Sequence, residues 1–308
     1  MPSEEPARVH AAAYELSIKF DPSEHAAQIQ SETLRADGVA HIDRHDARPE
    51  STLANPERWS NADSRNIVEH VRRALMGVHK YHFVPHQLKV PSALTVERQF
   101  RMDFDGFGLP SCLNDVLNYD AKLFIRLTEQ FCKLFPGFEN LRLRTQRSFV
   151  RRYLPDGAYV IETAAGYEIV FATVFGKEIR AVQASDGVLL VLAFLALKSL
   201  PNPPATILLE EPENGLHPHR LRELVSFLRQ MAWSLENPGG PQIIMSTHSP
   251  YLLDELEPEE VTVFLRDPGQ TTKVYPLKTA PGLKDRLRGF LLGEVLFNVG
   301  EKEIVGQG

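Results

Sequence analysis

The sequence predicts an α/β fold with a parallel sheet core in the last third of the chain and a helical subdomain before it. Three observations carry this. Residues 205–209 and 242–245 are short, largely apolar runs of strand length, and apolar runs without alternation are expected to be buried on both faces. Between them Leu221, Leu224, Val225, Leu228, Ala232 and Leu235 recur at helical spacing, and strands separated by helices pair in parallel. The apolar run 187–197 is too short to cross a bilayer and reads as a buried helix.

The remaining elements follow along the chain. Tyr14, Leu16, Ile18 and Phe20 alternate with polar residues, as in a strand. Residues 36–64 are rich in Asp, Pro, Asn, Ser and Arg and read as a loop or insertion. Ile67, Val68, Val71, Leu75 and Val78 recur at helical spacing, and a polar, Pro-marked stretch then runs to about Pro91. Leu123, Leu127, Phe131 and Leu134 line a second helix, stopped by Pro136-Gly137. From Leu141 to Phe175 the pattern is strand-like, with a turn expected at Ala164-Ala165-Gly166. A helix over 186–200 leads into the first core strand, and Asn237-Pro238-Gly239-Gly240 ends the helix that follows it. The chain reads as one domain, 1–308, with a strand and insertion region to about 95, a helical and strand subdomain over about 96–182, and the core over about 183–308.

Composition narrows the function classes. The chain has 34 Lys+Arg and 40 Asp+Glu, a formal charge of −6, which argues against polyanion binding by bulk charge and leaves local basic patches open. Hydrophobic residues are 43% and charged residues 24%, ordinary globular values. Two cysteines, Cys112 and Cys132, make neither a disulfide framework nor a Cys-rich metal site. The acidic start Met1-Pro2-Ser3-Glu4-Glu5 is no secretory leader. A cytoplasmic protein without membrane attachment is expected.

The most informative segment is Thr206-Ile207-Leu208-Leu209-Glu210-Glu211-Pro212-Glu213-Asn214-Gly215-Leu216-His217-Pro218. An apolar strand ending in two carboxylates is costly unless the acids are paired or hold metal. Open parallel sheets bind ligands beyond the carboxyl ends of their strands. There one acid suits a Mg²⁺ carrying polyphosphate and the next can orient a water. The plainer reading is a solvated strand end with helix-capping acids. In Gln242-Ile243-Ile244-Met245-Ser246-Thr247-His248-Ser249-Pro250, His248 follows the next core strand. Ser249 and Pro250 suit a helix start. His248 reads either as a hydrogen-bonded core histidine or as a contact to a terminal phosphate. Gln183-Ala184-Ser185-Asp186-Gly187 opens the apolar helix. Free amides there can bind an anion, though a plain Ser/Asp N-cap explains the same residues.

In this order the three segments resemble the ABC-type ATPases, and among them the AAA-type ATP-binding proteins related to the RecF, SMC and overcoming-lysogenization-defect groups. Ser185-Asp186-Gly187 resembles the signature loop, and Leu208-Leu209-Glu210-Glu211 the Walker B strand. Asn214-Gly215-Leu216-His217-Pro218 resembles the D-loop, and Thr247-His248-Ser249 the switch. A weaker likeness reaches back through Asp105-Gly106-Phe107-Gly108-Leu109-Pro110 and forward to about Leu265. Glu210 departs from the Asp of many relatives. The resemblance implies a P-loop NTPase fold with ATP and Mg²⁺ as cofactors. Glu210 would sit in the metal shell, Glu211 would polarise the attacking water and His248 would contact the γ-phosphate. Ser185, Asp186, Gly187, Asn214 and His217 would bind nucleotide, Ser185 reaching that of a partner subunit in a homodimer or heteromer with another ATPase subunit.

A P-loop requires Gly-x-x-x-x-Gly-Lys-Ser/Thr. The only Gly-Lys pair is Gly176-Lys177, with Phe171 and Glu178 where Gly and Ser/Thr belong. The chain is therefore expected to begin after the P-loop and to lack the Walker A segment, through truncation, a split ATPase or degeneration. A sheet edge and an apolar face would then be left open. Alone, the chain is expected to be weakly active or inactive. The alternatives are a non-catalytic regulatory or scaffold subunit lending its signature face to a separate ATPase, and an ATPase subunit of a DNA-directed or phage-defence complex.

Weaker constellations read as ordinary surface or loop. They are His79, His82 and His86; His41, Asp43 and His45; and Asp103 with Asp105, while His217 and His219, within the D-loop-like segment, read as packing at the nucleotide site rather than as metal ligands. Arg142, Arg144, Arg147, Arg151 and Arg152 fall on strand-like sequence. They could meet nucleic-acid phosphates, although a solvated basic strand is the plainer reading.

Overall fold

The computed structural model describes residues 11–21, 26–46, 51–54, 62–93, 99–154, 157–233, 240–266 and 271–306. The expected helix stop at 237–240 lies, except for Gly240, outside them. The chain forms two compact units, Met1–Val78 and His79–Gly308.

In the first unit β1 (Ala12–Asp21), β2 (Ala26–Ala36) and β3 (Val39–Arg44) make an antiparallel sheet in that order, with α1 (Ala62–Met76) following. The strand over Tyr14 to Phe20 is as expected. The loop expected over 36–64 instead begins with a tight hairpin. Asp37 and Gly38 both have positive φ, 48° and 83°, the backbone that joins two twisted strands in two residues. β3 escapes pattern reading because only Ile42 of its six residues is buried. Leu34, Ile42, Leu53, Val68 and Val71 form the core of this unit. The fully buried Glu32 accepts bonds from Tyr14 Oη at 2.9 Å, Ser51 Oγ at 2.6 Å, and Thr52 N and Oγ1 at 2.8 and 2.7 Å. Such a set of donors is what lets a carboxylate leave water.

The second unit starts in β4 (Val78–Tyr81), where the residue expected to close the helix, Val78, is already strand. Then come α2 (Pro85–Leu88), β5 (Ser92–Ala93), α3 (Leu109–Tyr119) and α4 (Ala121–Leu134). Asp120 caps α4 by accepting from Lys122 N at 2.8 Å. β6 (Phe138–Tyr153) and β7 (Tyr159–Thr173) form a long antiparallel pair, flanked by β5 and by β8 (Glu178–Arg180). The turn expected at 164–166 is not there: those residues are mid-strand, opposite Ser148, Arg147 and Gln146. Gly166 is needed for close approach instead, since a β-carbon on it would lie 2.1 Å from the Ser92 carbonyl oxygen. The chain reverses after Leu154, where Gly157 has φ 83° and Leu154 N donates to Ala158 O at 2.8 Å.

α5 (Asp186–Lys198) is apolar all round and buried, as expected. β9 (Thr206–Glu210), α6 (Leu221–Ala232) and β10 (Gln242–Ser246) follow, and β9 and β10 pair in parallel, also as expected. With β4 they form a sheet in the order β10-β9-β4. The expectation that both faces are buried fails. Ile207, Leu209, Ile243 and Met245 face the core shared with Leu190, Phe194, Leu224 and Leu228. On the other face Leu208 is half-buried and Ile244 is 51% exposed. The helices of this core cover one side only among the described residues. The chain closes with α7 (Pro250–Leu253), the hairpin of β11 (Thr262–Arg266) and β12 (Thr272–Pro276), and α8 (Leu283–Arg286), α9 (Leu292–Val299) and α10 (Glu301–Ile304). These enclose a smaller core around Val263, Leu277 and Leu296. No helix is long and apolar enough to cross a membrane among the described residues.

Candidate functional site

The parallel register sets Leu209 beside Met245 and Glu210 beside Ser246, so both core strands end at one level. One further bond ties their extensions together, Glu211 N donating to Ser246 O at 3.0 Å. The acidic pair and the loop carrying His248 thus leave the sheet side by side, at the edge where parallel sheets take ligands.

Glu210 meets a partner that sequence reasoning missed. Lys80 Nζ on β4 lies 2.6 Å from Glu210 Oε2. The hydrogen bond to Lys80, then its charge, holds the Glu210 carboxyl below the ordinary carboxylate range. Glu210 is therefore an ionised, solvent-reached oxygen donor.

Glu211 sits in the left-handed region, φ 43°, which costs a side chain bearing a β-carbon about 1 kcal/mol or more. Its Oε2 accepts from Asn214 Nδ2 at 2.6 Å, and its carbonyl from Asn214 N at 3.0 Å. Asn214 thereby fixes the carboxylate of Glu211 at the start of the turn. Gly215, φ 88°, completes that turn. A β-carbon there would come 3.0 Å from Leu190 Cδ1 and 3.7 Å from Asp186 Cβ.

The same close packing brings the start of α5 to this turn, because a β-carbon on Gly187 would meet Gly215 O at 3.5 Å. Asp186 is bound by Lys89 Nζ at 2.8 Å. Ser185 stands at the N-cap of α5, yet its side chain makes no capping bond and the residue is exposed. The plain N-cap reading is not what the structure displays. His217 Nδ1 accepts from His219 N at 3.3 Å, and the two rings stack at 5.4 Å. Among the described residues no hydrogen bond or ion pair joins Ser185 to Glu210, Glu211 or His248 within one chain.

Glu213, also missed, accepts from Thr247 Oγ1. Thr247 Oγ1 in turn accepts from Ser249 N at 2.9 Å, and Ser249 Oγ caps α7 by accepting from Leu252 N at 3.3 Å. Glu213 Oε2 is buried without a hydrogen-bond partner among the described residues. Lys80 and Glu213 have no motif of their own. Their partners lie 130 and 34 positions away, since 210 − 80 = 130 and 247 − 213 = 34.

Four of the five arginines of the cluster are paired with acids of the same chain. Arg142 and Arg144 pair with Glu178 and Glu168, and Arg152 with Glu162 at 2.8 Å. Arg147 Nη2 contacts Thr163 Oγ1 at 3.5 Å. Arg151, its side chain only 4% exposed, binds Asp105 at 2.9 Å and Asp103 at 3.2 Å and lies over the Phe107 ring. Asp103 and Asp105 are thereby used in anchoring β6. Among the described residues no three His, Cys, Asp or Glu gather to hold a metal ion.

Residues 136–254 match the family described as "AAA domain, putative AbiEii toxin, Type IV TA system". That range contains Ser185, the acidic turn and His248. No curated protein matches the chain. Among solved structures the chain is similar to the Smc head domain of Pyrococcus furiosus with an extended coiled coil, bound to the C-terminal domain of ScpA. That match has 15% identity and TM-score 0.34, and covers 57% of this chain and 40% of that one. A structure of SMC ATPases from work on their ATP-driven dimerization matches at 18% identity and TM-score 0.34, covering 57% of this chain and 97% of that one. A head domain bound to the C-winged helix domain of ScpA matches at 14% identity and TM-score 0.39, covering 85% and 73%. The chain thus spans less than half of the first of these chains. The family match over 136–254, with the parallel β9–β10 pair inside it, identifies an α/β fold of the P-loop NTPase kind.

Proposed function

We propose, for this chain with its AAA/ABC-type ATPase segment, that ATP is bound and hydrolysed at the ends of β9 and β10 and that the cycle drives closure of two head-to-tail subunits. One observation carries this. The bond from Glu211 N to Ser246 O sets the acidic strand end and the His248 loop together at the ligand-binding edge of a parallel sheet. Glu211, held by Asn214, is the residue to orient the attacking water. His248, exposed at the loop tip, would contact the terminal phosphate.

Glu210 fits a divalent cation. It is ionised, reached by solvent and a hard oxygen donor. With no cluster of three ligating side chains among the described residues, a cation here keeps water and phosphate oxygens, which is the habit of Mg²⁺. When bound, Mg²⁺ neutralises phosphate charge. Lys80 must then share or release Glu210.

The 308 residues contain no Gly-x-x-x-x-Gly-Lys-Ser/Thr. The loop that cradles the β- and γ-phosphates must therefore come from other residues, and the chain alone is expected to turn over ATP weakly or not at all. The test is an ATPase assay on the 308-residue chain and on a form preceded by a P-loop segment. Activity in the second that Glu211→Gln abolishes is expected. Vigorous Glu211-dependent turnover by the 308 residues alone overturns the division of labour.

A second reading is a subunit that lends its signature face to another ATPase. The exposed Ser185 hydroxyl, unused as a cap, favours it. Ser185→Arg in the chain should then lower the turnover of the partner ATPase and leave the chain's own fold intact.

A further inference from the structure

We infer that Glu213 is a positioning residue that locks the His248 loop to the acidic turn and so fixes where the imidazole stands relative to Glu211. The inference deepens the nucleotide-site reading above and rests on it.

A hydroxyl has one proton and two lone pairs. The Thr247 hydroxyl gives its proton to Glu213 Oε1 and accepts the Ser249 amide at 2.9 Å. Ser249 Oγ accepts Leu252 N at 3.3 Å and is thereby fixed to α7. Ser246 O takes the Glu211 amide at 3.0 Å. The backbone on both sides of His248 is thus bonded to the acidic turn or to a helix start. The residue between them is exposed, and its ring makes no hydrogen bond among the described residues. A core histidine spends its nitrogens on internal bonds; this one has a tethered backbone and a ring left for a ligand.

The second oxygen of Glu213 points the same way. Oε2 is buried with no partner among the described residues. Native folds satisfy nearly all such atoms, and an exception asks for a reason other than stability. A carboxylate here supplies a strong acceptor for Thr247, at the expense of an unsatisfied oxygen. The element it joins to the switch loop is the turn that starts with Glu211 and ends at Gly215. Movement of that turn is therefore passed to the His248 loop through this side-chain bond, beside the backbone bond from Glu211 N to Ser246 O.

Amide hydrogen exchange of the 308-residue chain tests this without nucleotide. Glu213→Ala and Thr247→Val should each speed exchange at His248 and Ser249 about tenfold or more, as loss of a hydrogen bond to a charged group does. The amides of Ile207 and Leu209 should keep their rates. The double variant should exchange no faster than Thr247→Val alone, which removes the bond to Glu213 together with the acceptor of the Ser249 amide. Glu213→Gln, which retains the acceptor, should stay near the parent rate. Unchanged rates at 248 and 249, additive effects in the double variant, a Gln variant as fast as the Ala variant, or uniform acceleration across β9 and β10 would each overturn the assignment. Thr247→Val leaves the carboxylate in place and keeps the test open if Glu213→Ala does not fold. Because these rates are read without ATP, a failure of the nucleotide reading shows separately, as absent turnover in the P-loop-completed form.

Discussion

Lys80 Nζ and Glu210 Oε2 lie 2.6 Å apart on neighbouring strands, so the first acid of the acidic tip already has a counter-charge. Replacing Lys80 with Met should raise the Glu210 carboxyl toward the ordinary range, since the bond to Lys80 is the main cause of its lowering. For an acid whose folded pKa is lowered, the stabilisation is present above the unfolded pKa and fades as pH falls through the folded one. In the Lys80→Met chain that acid-side loss should shrink. At neutral pH Tm should change little, because both side chains are largely exposed and screened. A carbon-detected titration of Glu210 that does not move would count against the pairing.

Glu211 holds a left-handed backbone at φ 43°. Glycine tolerates that conformation without a β-carbon clash. Glu211→Gly should therefore leave the chain as stable or up to about 1 kcal/mol more stable in urea, while abolishing hydrolysis in the P-loop-completed form. Marked destabilisation would show that the Asn214 bond outweighs the backbone strain.

Gly166 leaves room for the Ser92 carbonyl. Gly166→Ala should cost about 1–3 kcal/mol by overpacking, because β5 must move. Gly137→Ala is the control: nothing lies within 4 Å of its β-carbon and its φ is not left-handed. It should change stability by less than about 0.5 kcal/mol. Equal urea midpoints for the two variants would deny the close approach of β5.

Arg151 serves the buried Asp105 and the partly buried Asp103 rather than a surface field. Removing it leaves Asp105, 8% exposed, without its main counter-charge. Arg151→Met should cost about 3–5 kcal/mol, as breaking a buried pair does. Arg142→Ala, losing an exposed pair with Glu178, should cost under about 1 kcal/mol. Differential scanning calorimetry of the two variants separates the roles.

The sequence makes some of this legible for physical reasons that stop at definite places. The β9–α6–β10 unit is readable because apolar runs and helical spacing encode local structure. The number of covered faces is not, because Leu208 and Ile244 look the same whether a helix lies over them or water does. Gly166 advertises a turn only if its reason is backbone freedom; its reason is proximity to β5, from which α3, α4 and β6 separate it in sequence. The true reversal carried a turn signal in Leu154-Pro155-Asp156-Gly157 that the alternating flanks obscured. At the site, Glu210, Glu211 and His248 announce themselves through motif order. Lys80 and Glu213 do not, because their significance lies in a partner that only folding supplies.

β10 pairs with β9 alone among the described residues, and the Ile244 beside that edge is half in water. A strand with an unpaired row of amides and carbonyls templates any extended segment that reaches it. Concentrated preparations of these 308 residues are therefore expected to self-associate edge to edge. Light scattering across a dilution series, with Ile244→Lys to blunt the strand, would separate such colloidal behaviour from a specific assembly.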